Sequence, residues 1–428
     1  MQLNQATPAQ LQQWERDLAE EYSRVKAQNL NLDLTRGKPS AEQLSLSDAL
    51  DGILQGNYQS DSGVDTRNYG GLDGIPEAKA LGEQIMGVPA ANILAGGNSS
   101  LTIMHQTVMA AHLFGLSGPD SAWNKEGKVK FLCPVPGYDR HFAICEQMGI
   151  EMVNVPMDSN GPDMDKVEAL LQQDSSIKGM WCVPKYSNPS GVVYSDATVE
   201  RIAALGKIAS ANFRVFWDNA YAIHDLSDTP PQLANIFALS EKLGTQDSVL
   251  QFGSTSKITH AGSGVAFMGG SANNLKGFQK VISFLTIGPD KVNQLRHVKF
   301  FAKAGSLQEH MRKHAAIIKP RFASVLQHLN QAFGDNDLGT WESADGGYFI
   351  SFDTRPGLAK EVVKLAGEAG VKLTPAGATF PYGKDPQDRN IRIAPTVPTV
   401  SQVDTAMQVF ILCVKLASVR QALTQSSR

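Results

Sequence analysis

Six short apolar runs, bounded by Gly, Pro, Asn or Ser and separated by helix-like stretches, fill the middle of this 428-residue chain. They read KVKFLCPV (128–135), EMVNVPM (151–157), IKGMWCVP (177–184), FRVFWDN (213–219), SVLQFGS (248–254) and GVAFMGG (264–270). Each has strand length and is rich in Val, Phe and Ile. Helical patterns lie near 98–115, 139–149, 163–174, 195–210, 231–243 and 273–284. Such alternation predicts right-handed crossovers and a mostly parallel sheet, of seven-stranded type, covered by helices on both faces. The last two runs are about ten residues apart, too close for a crossover helix, so GVAFMGG is expected to run antiparallel.

The C-terminal third has a different rhythm. A long helical stretch covers about 290–333, where Pro320 is expected to kink or break it. A strand (346–353), a helix (358–369), the short strand VKLTP, the strand NIRIAP (390–395) and a final helix (400–423) follow. The N-terminal helix, 8–28, has no sheet of its own and should dock there. The expected division is an N-terminal helix and arm over 1–60, a large domain over 61–300, and a C-terminal small domain over 301–428. The small α/β domain is thus built from both termini.

In an open parallel sheet, ligands sit beyond the carboxyl ends of the strands. The sequence puts its polar residues there. Lys257 closes STSK after SVLQFGS, where small hydroxyl residues leave room for a ligand and neighbours could lower the amine's pKa. A solvated loop lysine would look the same. Asp218 ends FRVFWD, so its carboxylate is buried and needs a partner. A protonated pyridinium nitrogen is one, and capping of a following helix is the alternative. Tyr221 could reach the same ring, or pack in the core. Asn188, in YSNPSG, presents its amide at an Asn-Pro turn. Gly97, Asn98 and Ser99, in AGGNSS, open a helix whose free N–H groups could cradle a phosphate, with Ser254 and Ser256 adding hydroxyls. Tyr138, in PGYDRH, could stack on a flat ring. Arg392 sits between two isoleucines in a strand, where a guanidinium calls for a carboxylate. Arg36, in LTRGKPS, is a second arginine of interest.

As a set, Asn-Pro-x-Gly, Asp-x-x-Tyr, Ser-x-Ser-Lys and a late strand arginine resemble the fold-type I aminotransferases of the aspartate aminotransferase superfamily. LTRGKPS, YGGLDGIPE, GGNSS, PGYDRH, YSNPSG, DNAY, STSKIT and GPDKVNQLRH resemble its divergent subgroup, related to the aminotransferase domain of the MocR regulators. The resemblance implies pyridoxal 5′-phosphate held by Lys257 as a Schiff base, with Lys257 also moving the substrate proton. It implies Asp218 on the ring nitrogen, Asn188 and Tyr221 on the ring hydroxyl, and Tyr138 stacked on the ring. The phosphate would fall to Gly97, Asn98, Ser99, Ser254 and Ser256, and the substrate α-carboxylate to Arg392. Tyr69 would reach the cofactor of a second subunit, which implies a homodimer with shared active sites. Family members usually carry an arginine just after the lysine segment, but here that segment reads ITHAGSGVAF. His260 is a candidate stand-in, and Arg36, then Arg296, are candidates for a distal substrate carboxylate.

The expected activity is transfer of amino groups between aspartate or glutamate and 2-oxoacids by a ping-pong mechanism. An aminotransferase for other amino acids, a β-lyase, or a non-catalytic cofactor-sensing module of the regulator type are alternatives. No DNA-binding segment precedes the helix at 8–28, which weighs against the last. The formal net charge of -3 gives no basic excess for nucleic acid. The 4 cysteines, Cys133, Cys145, Cys182 and Cys413, lie in apolar segments without metal-ligand spacing. The N-terminus lacks the apolar core of a signal peptide, and no membrane span is expected, so a cytoplasmic location is expected.

Overall fold

The computed structural model describes residues 2–303, 305–342 and 344–426. Strands β1 (Ile93–Ala95), β2 (Lys130–Val135), β3 (Glu151–Asp158), β4 (Gly161–Pro162), β5 (Ile177–Cys182), β6 (Arg214–Asp218), β7 (Val249–Ser254) and β8 (Ala266–Gly270) build one sheet. Their spatial order is β1-β8-β7-β6-β5-β2-β3-β4. The run from β3 through β2, β5 and β6 to β7 is parallel. β8 is antiparallel to both β7 and β1, because only a short loop separates it from β7. β5 and β6 are buried at every residue, which accounts for their continuous apolar sequences. The eighth strand, beyond the seven expected, is the two-residue β4, which folds back on the end of β3. β1 is too short, at 3 residues, to stand out as a run.

Six helices matter for the site: α1 (Pro8–Lys26), α2 (Ser100–Met109), α3 (Asp139–Gln147), α4 (Lys291–Phe300), α5 (Ser306–Phe333) and α6 (Val400–Ser426). α1 starts with Pro8 in its first turn and a capping box between Thr7 and Gln10. Its buried stripe, Leu11, Leu18 and Tyr22, joins a core cluster with residues of α6, and Tyr22 donates to the Leu365 carbonyl at 2.8 Å. Of the kink or break expected at Pro320, the break does not occur. α5 continues through the proline, and the interruption falls earlier, between α4 and α5, where Gly305 takes a left-handed φ of 77°. A proline forfeits one helical hydrogen bond, whereas a reversed φ ends the helix outright. α6 is long and apolar enough to cross a membrane by length and composition, contrary to the expectation of no such segment. Here 67% of its most apolar window is buried inside the protein.

The smaller sheet holds β9 (Gly339–Trp341), β10 (Ile350–Thr354) and β11 (Asn390–Ile393), all antiparallel. Beside it, Leu32–Asp33 pairs in parallel with Val371–Lys372, and Ala394 donates to the Leu34 carbonyl. The N-terminal arm therefore lies along the C-terminal sheet and carries Arg36 over the end of the larger one.

Candidate active site

Tyr138, Asn188, Asp218 and Lys257 follow or occupy the carboxyl ends of β2, β5, β6 and β7, four strands that are neighbours in the sheet. They line one cavity of about 380 Å³ together with Arg36, Tyr221, Phe349 and Arg392. The crevice rule thus converts four widely separated sequence positions into one site.

Lys257 lies with its Nζ 5.2 Å from the centre of the Tyr221 ring and 5.9 Å from that of Tyr348. Burial holds its pKa below the usual lysine value, against the opposing pull of the Asp218 carboxylate. An amine poised this way spends more of its time neutral and nucleophilic. Asp218 is buried at the end of β6. Its Oδ2 is 2.9 Å from Nε2 of His141, whose ring stacks on Trp181 at 4.2 Å and 6°. Its Oδ1 is buried without a hydrogen-bond partner. A lone buried carboxylate oxygen is costly unless a cationic or N–H group completes it. Because the residue lines the cavity, a ligand with a protonated ring nitrogen fits that vacancy of bonding.

Tyr221 is fully packed, and burial raises its phenol well above the ordinary value. Tyr138 meets His141 edge-on at 4.9 Å, and burial first, then Asp218, pushes its phenol up to about 12. Both hydroxyls are therefore donors at neutral pH. His224 Nε2 donates to the Lys257 carbonyl at 3.4 Å, and burial and Lys257 hold its pKa down to about 3.

Arg392 is buried in β11. Its Nη1 donates to Asn188 Oδ1 at 3.2 Å and lies 3.4 Å from Asp139 Oδ1. Its Nε donates to Thr374 at 3.3 Å, and its guanidinium sits 4.7 Å from the centre of the Phe349 ring. Gly37 lets the arm lie against that ring, because a Cβ there would come within 2.3 Å of it. Arg36 and Lys38 flank this glycine, are exposed, and line the cavity.

The candidate cradle lies at the start of α2. Ser99 caps the helix by accepting from Thr102 N. Gly97, Asn98 and Ser99 line a second cavity of about 210 Å³. Ser256 donates to the Asn98 carbonyl at 3.3 Å, Ser254 donates to Ser256 at 3.0 Å, and Asn98 donates to the Gly262 carbonyl at 3.0 Å. The hydroxyls and the glycine turn are thus gathered at one helix N-terminus. Three sequence candidates lie elsewhere. Tyr69 is 83% exposed and lines neither of these two cavities. His260 turns to Asp48 at 3.9 Å, and Arg296 is exposed outside both cavities. The residues sequence reasoning passed over are His141 and Phe349. His141 had a signal, since it stands three residues after Tyr138 and so on the same helical face.

A family model described as aspartate amino-transferase matches residues 6–426. A protein of Mycolicibacterium smegmatis that carries an aminotransferase name is 46% identical over 405 residues, 94% of each chain. An aspartate aminotransferase of Corynebacterium glutamicum is 44% identical over 403 residues, 94% of this chain and 93% of that one. The crystal structure of an aspartate transaminase from Corynebacterium glutamicum superposes with a TM-score of 0.94 at 42% identity, covering 99% of both chains.

Proposed function

This chain belongs to the aspartate amino-transferase family, and we propose that it moves amino groups between aspartate or glutamate and the oxoacids 2-oxoglutarate and oxaloacetate. It is a transaminase, and its family's cofactor is pyridoxal 5′-phosphate. The observation that carries the reading is the pairing, in one cavity, of the Lys257 amine with the unpartnered Oδ1 of Asp218. Lys257 would hold the cofactor covalently, Asp218 its ring nitrogen, Tyr221 and Asn188 its ring hydroxyl, and Tyr138 one ring face. Gly97, Asn98, Ser99, Ser254 and Ser256 would take the phosphate. When bound, this cofactor supplies an aldehyde for the substrate amine and a cationic ring that withdraws electrons from the substrate Cα.

The chain's own work is then binding and proton transfer. Arg392, already squared by Asn188, Thr374 and Phe349, receives the substrate α-carboxylate. That leaves the Cα–H bond near Lys257 Nζ, whose lowered pKa suits it to take the proton and return it one position further along. Arg36, at the mouth, receives the distal carboxylate. A homodimer is part of the same reading, in which Tyr69, exposed on a loop held by Lys291, would be the residue that reaches a second copy. So are the division at about residues 60 and 300 and a cytoplasmic location.

Arg392→Gln should lower kcat/KM for aspartate by about 10²-fold, the worth of a charge-assisted hydrogen-bond pair, with most of the loss in KM. Steady-state kinetics with an unchanged KM would remove Arg392 from the carboxylate. The reading as a whole is tested by mixing the cofactor-loaded protein with each amino acid and following the visible spectrum through one half-reaction. Aspartate and glutamate should convert the cofactor fastest, and an Arg36→Gln variant should lose that preference over alanine. No conversion by either dicarboxylic amino acid would overturn the substrate assignment.

A further inference from the structure

The segment GPDKVNQLRH carries four polar side chains that are almost wholly buried, yet none of them lines the cavity of Lys257: Lys291, Asn293, Gln294 and His297. All four lie in α4, and each makes at least one hydrogen bond to a segment outside its own helix. Lys291 Nζ donates to the carbonyls of Asn68 and Gly70 at 2.8 and 2.6 Å. Asn293 Nδ2 donates to the carbonyls of Ser263 and Gly264 at 2.8 and 3.0 Å. Gln294 Nε2 donates to the carbonyls of Ala95 and Gly96 at 3.1 and 3.3 Å, while its Oε1 accepts from Ile75 N at 3.0 Å. His297 Nε2 meets the Thr259 hydroxyl at 2.8 Å, and its Nδ1 donates to the Asn293 carbonyl at 2.9 Å.

We propose that α4 is a polar bracket whose Lys291, Asn293, Gln294 and His297 are positioning residues for the phosphate cradle. This rests on the assignment of Gly97–Ser99 and Ser254–Ser256 to the phosphate. The three loops the bracket grips are 68–71, 95–96 and 259–264. The second leads into Gly97–Ser99, and the third follows Lys257 and receives the Asn98 side chain at Gly262. The third loop is also the one in which this chain has no arginine. Without a cation tying 258–264 to an anion from the front, Asn293 and His297 hold it from behind. The fit is close on the second loop too. Gly74 adopts φ 89°, and a Cβ there would lie 2.7 Å from Ala95 and 2.9 Å from Gln294 Oε1. Seven polar contacts run from one ten-residue helix to these three segments, and buried amides cost stability unless every partner is in place.

The test compares pyridoxal 5′-phosphate with pyridoxal, which lacks the phosphate, in equilibrium binding to the full chain and to Asn293→Ala, Lys291→Met and Gln294→Leu. Each variant that folds should lose affinity for the phosphorylated form by about tenfold, the cost of leaving buried carbonyls unpaired, while its affinity for pyridoxal changes less than twofold. Hydrogen exchange of the unliganded Asn293→Ala chain should accelerate at residues 259–264 and stay unchanged in β7. Gln294→Leu is the harshest change; if it fails to fold, the other two variants decide. Equal losses for both ligands, or no loss for either, would overturn the bracket alone. A parent chain that binds neither ligand would overturn the cofactor assignment together with it, and the exchange pattern would still report whether Asn293 holds the loop.

Discussion

Lys257→Ala abolishes transamination, lowering kcat by about 10⁴-fold or more, because it removes both the attachment point and the proton carrier. The size follows from how little else could stand in. His224 meets the backbone carbonyl of Lys257 and is held neutral by burial. The hydroxyls of Tyr138 and Tyr221 are held protonated by burial and cannot act as bases near neutral pH. The fold should tolerate the change, since an amine that burial already disfavours contributes little to stability in its charged form. Stopped-flow and steady-state assays with aspartate, beside a thermal melt, check both halves. A variant that keeps within tenfold of the parent kcat would remove Lys257 from the chemistry.

Asp218→Asn is the second large effect, a loss of about 10²–10³-fold in kcat. The substitution is nearly isosteric, and the contact with His141 can survive through the amide oxygen. What vanishes is the negative charge opposite the ring nitrogen. An amide cannot hold a proton on that nitrogen, so the electron-withdrawing character of the ring falls while binding geometry persists. The expected signature is a depressed kcat with substrate KM changed little, together with a shift in the visible spectrum of the bound cofactor. Wild-type kcat in this variant would show that Oδ1 faces nothing that matters.

Much of this site could be read before any coordinates. Four apolar runs ended in polar residues, and parallel-sheet geometry requires those ends to share an edge, so Tyr138, Asn188, Asp218 and Lys257 converge. Arg392 was visible as a charge inside an apolar strand. What stayed hidden depends on contacts between segments far apart in sequence. His141 earns its role from Trp181 and Asp218, which lie 40 and 77 positions away, and only the sheet order brings them together. Phe349, just before β10, is one more apolar residue until the arm and β11 meet on it. The break between α4 and α5 eluded the helical pattern because a proline is a conspicuous signal and Gly305 is not. Tyr69 is exposed, and the role proposed for it would need a second copy of the chain.

The arm at residues 32–38 has a consequence for how the protein comes into being. Leu34 accepts its hydrogen bond from Ala394, Thr35 offers its carbonyl to Thr374, and Lys38 to Thr396. These residues must wait for partners that are made more than 300 positions later. At about 5–20 residues per second, a ribosome takes tens of seconds to pass from one to the other. The sheet bearing Lys257 can form during that interval, but the wall bearing Arg392 cannot. A chain truncated before residue 390 would own a nucleophile and have no grip on a carboxylate.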